Sequence, residues 1–300
     1  MPDCRDYFVA LHGDMDMIEL AGKWVEGITN GTVVPYLGPG VLADVRAVAD
    51  ARPIPADSDS LIIAMNDGKP MAPKLMYEFP RAAMNVELKR GRSAVNKFLV
   101  RTYGETAWTR AAVHDWLATI KPAYVIDINR DTQLQDSYAH TPHTLVVGIS
   151  RIGGTDYRFK MFAHDGTAYR EVTLEAVNPS LPVLFKPMGT PRPQPHFIAS
   201  DADYVDYITE LMGGFAVPPT VKTLRAGKRY LFLGMRFNRD TERMVMSDLI
   251  YGAAQPAGWA LIEQPTDKER RFLAKMKIEI IEAALSDWLA ENQALSSACA

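Results

Sequence analysis

The sequence predicts an α/β fold: a Rossmann-like, doubly wound, mostly parallel sheet with helices on both faces and a small β insertion. Three observations carry this prediction. Short apolar runs such as Val33–Leu37, Ala123–Ile128, Pro182–Phe185 and Tyr230–Leu233 alternate with stretches of helical periodicity, as strands buried on both faces do. The first run ends in Gly38-Pro39-Gly40, a turn that lets backbone approach a ligand closely. Tyr157–Met161 and Tyr169–Leu174, separated by Asp165-Gly166, read as a hairpin inserted within 150–180.

With 300 residues, 47% of them hydrophobic and 23% charged, the chain suits one globular domain over 1–300 that needs neither metal nor disulfide to hold a core. A net charge of −3 provides no field for a polyanion, so no nucleic-acid partner is expected. The short basic run Lys89-Arg90-Gly91-Arg92 reads as a solvated helix face. Cys4 and Cys299 sit near the termini and build neither a disulfide framework nor a four-cysteine zinc ribbon, so no metal is expected and a cytoplasmic location fits. No run approaches ~20 apolar residues, and Met1–Asp6 lacks the basic and apolar regions of a secretion signal. Neither a membrane segment nor export is expected.

Taken in order, Met17, Leu20, Ala21, Trp24, Val25 and Ile28 predict an amphipathic helix over 14–30, capped by Asp14 or Asp16 and stopped by Gly31. The segment 51–110 reads as an insertion: proline-rich loops to Pro80, with a short hairpin at Asn66-Asp67-Gly68, then helix from Arg81 to Thr102. Another helix is expected over Thr106–Thr119. A strand at Ala123–Ile128 follows, ending in Asn129-Arg130-Asp131, then strands at Leu145–Ile149 and Pro182–Lys186 and a helix over Asp201–Met212. Two βα units come next: Arg229–Gly234 with a helix at Asp240–Tyr251, and Trp259–Glu263 with a helix at Thr266–Lys277. A strand at Ile278–Ile281 and a helix at Ala283–Asn292 close the pattern.

Ligands in such sheets sit beyond the carboxyl ends of the strands, so the polar residues that terminate strands are the candidates. Each also has a plain structural role. Gly-Pro-Gly is a common turn, Asn129 and Asp131 suit capping of the next helix, and Arg236 and Arg239 suit pairing with Glu242 and Asp248.

Four motifs at strand ends occur in an order that resembles the SIR2-like family, the sirtuin relatives that bind NAD on a Rossmann-type sheet. Val33–Leu42 is similar to that family's strand into a Gly-Ala-Gly-x-Ser turn. His114-Asp115-Trp116-Leu117, with Tyr124 to Asp131, is similar to its His-x-x-Leu helix end and Thr-x-Asn-x-Asp strand end. Leu184–Thr190, followed by Asp203-Tyr204, resembles the Lys-x-His-Gly strand and the helix opened by an Asp-Tyr pair. Leu231 to Asp240 resembles the Phe-x-Gly-x-Ser-x-x-Asp segment, with the aspartate displaced. The resemblance implies NAD as cofactor, with Gly38, Pro39, Gly40, Val41, Asn129, Gly234, Met235 and Arg236 at the cofactor and Asn129 and Asp131 as the catalytic polar pair. It also implies a homo-oligomer or a protein partner.

The departures bear on chemistry. Pro39 replaces an alanine and brings no N–H, and Leu42 replaces a serine and makes no hydrogen bond. Met188 stands where the family has its histidine, and a thioether has no basicity for proton abstraction, a contribution worth ~10²–10⁴ in rate. His164 and His196 are candidates to fold over the site, with a surface role as the alternative; His114 reads as a structural hydrogen-bonder, and His140 and His143 flank a loop proline. The expectation is a catalytically degenerate SIR2-like protein that binds NAD or ADP-ribose weakly, with a structural or regulatory role in an assembly. The alternative is an active NAD hydrolase of the prokaryotic defence type, and a third reading is another nucleotide-binding protein on the same architecture.

Overall fold

The apolar runs form one nine-stranded sheet. In the computed structural model, which describes residues 17–151 and 156–290, the strands are β1 (Val33–Leu37), β2 (Tyr124–Asp127), β3 (His143–Gly148), β4 (Phe159–His164), β5 (Tyr169–Glu171), β6 (Val183–Lys186), β9 (Arg229–Leu233), β10 (Gly258–Leu261) and β11 (Ile278–Ile281). They lie in the order β11-β10-β9-β1-β2-β6-β3-β4-β5. All pairings from β11 across to β3 are parallel, and β4 and β5 add an antiparallel edge. The edge is the predicted hairpin. A two-stranded ribbon, β7 (Gly189–Thr190) and β8 (His196–Phe197), stands apart.

Each parallel strand is buried on both faces, and its alternate residues enter two different cores. Val33, Leu37, Leu231 and Leu233 face helices α1 (Met17–Thr29), α2 (Ser58–Met65), α3 (Phe79–Arg90), α4 (Arg92–Val100), α5 (Ala112–Ile120) and α6 (Gln133–Ser137). Val34, Tyr36, Tyr230 and Phe232 face α7 (Asp201–Gly213), α8 (Pro219–Arg225), α9 (Asp240–Leu249) and α10 (Asp267–Met276). The doubly wound architecture is therefore as predicted. Pro35 lies in the central strand without cost. The Gly38 amide donates to Leu233, so by alternation Pro35 points toward β2, whose pairing with β1 begins only at Tyr36.

Several local readings need correction. Residues 58–65 are helical rather than loop, because the Asp57 carboxylate caps the free amides of Asp59 and Ser60. Asn66-Asp67-Gly68 closes that helix, with Asp67 at φ 54 and Gly68 at φ 81, and is not a hairpin. The long helix expected over 81–102 breaks at Gly91 (φ 82) into α3 and α4, and the helix expected from Thr106 begins only at Ala112, after an extended stretch in which Ala47 bridges Trp108. Lys89 and Arg90 are solvated, as expected. Arg92 is not: it pairs with Asp203 and donates to the Phe197 carbonyl at 2.9 Å, tying α4 to α7. Asp14 and Asp16, both cysteines and the residues beyond 290 lie outside the described residues.

The strand order reverses between β1 and β9, where the two following turns are packed backbone to backbone. The Gly40 amide donates to the Gly234 carbonyl at 2.8 Å. A Cβ at Gly40 would stand 2.9 Å from the Gly234 Cα, and one at Gly234 would run into the Val41 amide while forcing φ +65 on an L-residue. Gly234→Ala is expected to lower unfolding stability by at least ~1–3 kcal/mol, read from chemical denaturation; a loss under about 0.5 kcal/mol would show that the turns are not locked.

Candidate functional site

Residues singled out in the sequence meet at the carboxyl ends of β1, β2, β6 and β9. The glycine turn folds as one 3₁₀ turn over Pro39–Leu42. Its donors are used within the protein: Gly38 N–H to Leu233, Gly40 N–H to Gly234 and Val41 N–H to Gly38, while Pro39 has none to give. A pyrophosphate cradle needs such amides free. This turn holds its neighbour instead.

Asn129 is buried at the end of β2. Its side-chain amide donates to the Gly38 carbonyl at 3.0 Å and to Asp127 Oδ1 at 2.9 Å, and its backbone amide donates to the same Oδ1. The other oxygen of Asp127, Oδ2, accepts from Lys186 Nζ at 2.7 Å, with both side chains fully buried. Burial alone would push the Asp127 carboxyl up, but the Lys186 ammonium and His114 outweigh it and hold the group down at about 2. His114 Nε2 lies 3.5 Å from Asp127 Oδ2, a contact between two fully buried side chains. Asp131 Oδ1 accepts from the Gln133 amide at 2.7 Å, but the N-cap of α6 is Thr132 rather than Asp131 as expected, and Asp131 Oδ2 is buried without a partner among the described residues. His114, Asp127 and Asp131 offer ligand atoms within 4.8 Å of one another, the spacing of a possible cation site. The Lys186 ammonium already supplies the positive charge there.

Two cavities open from these strand ends. A cleft of about 1290 Å³ lies over Pro39, Gly40, Gly234 and Met235, with Ile54, Arg101 and Trp108 of the 51–110 segment on its other wall. An inner chamber of about 40 Å³ is lined by Asn129, Met188, Tyr36, Phe79, Arg130 and Tyr204. Pro39, Ala56, Ser58, Arg239 and Glu242 border both and form the throat between them. The chamber has room for about three waters, and stands well short of the ~150 Å³ cavity that admits benzene.

Met188, 3% exposed, is in the chamber wall. Met235 is buried against Gly38 in the core. Arg236 borders the cleft, but its guanidinium grips the buried carboxylate of Glu269 at 2.8 and 2.9 Å rather than Glu242 or Asp248. Arg239 pairs with Asp59 at 3.1 Å and donates to the Tyr77 carbonyl. No histidine among the described residues lines either cavity. His164 stacks on His143 with ring centroids 4.7 Å apart, under the β4–β5 edge, and His143 is bonded to Thr141 and Tyr169. His196 lies half-buried in the β7–β8 ribbon.

The sequence reading missed Asp127, Lys186 and Glu242 as site residues. A signal existed for the first two: each is a charged residue ending a strand that is otherwise apolar, which calls for a buried partner.

The SIR2-like domain family model matches residues 125–281, from β2 through β11 and more than half of the chain, and the chain belongs to that family. The glycine turn precedes the matched stretch. No curated protein matches the chain. Among the described residues no helix is long and apolar enough to cross a membrane.

Replacing Lys186 by Met strands a buried carboxylate, and unfolding stability is expected to fall by ~3–5 kcal/mol. Adding Asp127→Asn should restore most of it, as measured by urea denaturation. With the folded pKa held down at about 2, the Asp127 contribution is whole above the unfolded value of ~3.9 and is lost as pH falls toward the folded one. Acid unfolding of the double variant should therefore be shallower than that of the wild type.

Proposed function

We propose that this SIR2-like domain binds an ADP-ribose-type nucleotide in the cleft at the strand-order reversal, without the histidine-dependent release of nicotinamide. Its role is then structural or regulatory, within a homo-oligomer or with a protein partner. The observation that carries the reading is Met188 in the chamber wall beside Asn129. The strand-end Asn of the family remains, while the position of its proton acceptor has become an apolar wall. The chamber supports this by size, since a nicotinamide ring is larger than benzene and 40 Å³ is too little for it. The cleft supports binding, because it lies where ligands of doubly wound sheets bind and Arg52, Arg101 and the Trp108 ring line it. With the turn amides committed, phosphate recognition falls to those side chains, and weak affinity follows.

Calorimetry with ADP-ribose and NAD, together with a nicotinamide-release assay, tests the reading. Binding is expected, with no release above that of Asn129→Ala. Release by the wild type that Asn129→Ala abolishes would establish the hydrolase instead. No binding of either nucleotide at millimolar concentration would remove the nucleotide reading altogether. Met188→His should still fold, with stability changed by no more than about 1–2 kcal/mol; gross unfolding would show that residue 188 is core rather than cavity wall.

A further inference from the structure

Glu242 lies in the first turn of α9 and forms part of the throat between cleft and chamber. Charged groups approach it from every side: Arg239 ahead of α9, Glu78 ahead of α3, Arg130 after β2 and Asp57 at the cap of α2. The phenols of Tyr36 on β1 and Tyr204 on α7 also face it.

Those neighbours are already engaged. Glu78 Oε1 accepts from the Asp240 amide at 3.0 Å, and Arg130 donates to the Ile198 carbonyl at 2.6 Å and to Tyr204 at 3.0 Å. Arg239 is held by Asp59 and Tyr77, and Asp57 by the amides it caps. Among the described residues, polar groups around the chamber remain open. The Glu242 carboxyl has no hydrogen-bond or ion-pair partner among the described residues. Among the described residues the Tyr36 hydroxyl is buried with no partner, and no donor is bonded to the Asn129 side-chain oxygen.

A carboxyl beside a cavity of this size calls for small groups that donate hydrogen bonds. A phosphate offers the wrong charge, and an aromatic ring offers bulk without hydroxyl donors. The vicinal hydroxyls of a ribose fit both conditions, giving one hydrogen bond to each carboxylate oxygen, with the Tyr36 hydroxyl and Asn129 oxygen left for water or the remaining hydroxyl.

We infer that Glu242 is the anchor for the terminal ribose of the bound nucleotide, so that the site selects nucleotides ending in a ribose over those ending in a phosphate. This rests on the reading that the cleft binds nucleotides, and it makes binding sensitive to pH. Burial pushes the Glu242 carboxyl up to about 7, opposed by Arg239 and Arg130 and aided by Glu78 and Asp57. Only the ionised form offers two charged acceptors, so affinity rises as pH climbs through that value.

Calorimetry with ADP-ribose and with ADP, on wild type and Glu242→Gln, is the test. At pH 8 the wild type should bind ADP-ribose at least about tenfold more tightly than ADP, and Glu242→Gln should erase most of that difference by weakening ADP-ribose alone. Between pH 8 and pH 6 the wild type should lose up to about tenfold in ADP-ribose affinity, the limit for one group titrating near 7, and Glu242→Gln should lose little. The pyrophosphate of ADP-ribose carries no group that titrates in this range. Because the amide is isosteric and uncharged, the variant should melt no lower than the wild type at pH 8, which keeps the comparison between folded proteins; Glu242→Asp, which withdraws the carboxylate by one methylene, should also weaken ADP-ribose. Equal wild-type affinity for the two nucleotides overturns the assignment while leaving the nucleotide reading intact, as does unchanged ADP-ribose binding in both variants. Nicotinamide release that Glu242→Gln abolishes would make this carboxyl a proton acceptor and overturn it too. Failure of the wild type to bind either nucleotide removes the underlying reading and this one with it.

Discussion

A continuous line of hydrogen bonds crosses the carboxyl ends of four neighbouring strands. Gly40 donates to Gly234 between the β1 and β9 turns, Asn129 donates to Gly38 between β2 and β1, and Asp127 joins Asn129 to Lys186 on β6. The Asn129, Asp127 and Lys186 links are short and buried, so each is strengthened by its low-dielectric surroundings and costly to leave unmade. Its anchor is the Asp127–Lys186 pair: remove either charge and the other is stranded among apolar side chains. The floor of both cavities is thus a rigid platform, and the shape of the site follows from it.

That rigidity is in tension with ligand chemistry. A polar group that completes an internal hydrogen bond is not available to a substrate, and here the three turn amides and the Asn129 side-chain amide are all spent on the platform. Pro39 fits the same arrangement, since a position without a donor costs nothing where no ligand is held through the backbone. Met188 and Leu42 extend it by presenting carbon and sulfur where a reactive site would present oxygen or nitrogen. At these strand ends the polar groups are turned inward, into the scaffold. What remains open toward the cavities is a different set, concentrated on Glu242, Tyr36 and Arg101.

The architecture was legible because parallel strands buried on both faces leave uninterrupted apolar runs, and because the β4–β5 hairpin alternates around Asp165-Gly166. Strand order was not, since the placement of β6 between β2 and β3 is a long-range choice with no local signature. The α2 helix was hidden by the prolines before it and was fixed by one capping carboxylate, Asp57. At the site, Asn129 and Asp131 could be found because they end a strand, whereas the Lys186–Asp127 pair joins residues 59 apart and depends on register between neighbouring strands. Arg236 shows the same limit: its partner Glu269 is 33 residues away on α10, not on the adjacent helix where sequence proximity pointed. Glu242 reads in sequence as an ordinary acidic residue in a first helical turn, and only the convergence of α2, α3 and α9 reveals its isolation.

The two walls of the cleft are held in different ways. One is the strand-end platform. The other is the 51–110 segment, joined to α9 across the throat by Arg239 to Asp59, Arg239 to Tyr77 and the Asp240 amide to Glu78. The exposed Arg239–Asp59 pair contributes ~0–1 kcal/mol, and the segment is otherwise seated by apolar side chains such as Leu61, Phe79 and Leu99 in the core on one face of the sheet. A nucleotide touching both adds its own binding energy to that junction, about 2.7 kcal/mol when present at a hundred times its dissociation constant. That exceeds any one of the contacts it joins. Under the proposed reading, occupancy of the cleft would change how tightly the segment sits on the sheet, a physical route by which binding would be felt at the outer face of that segment.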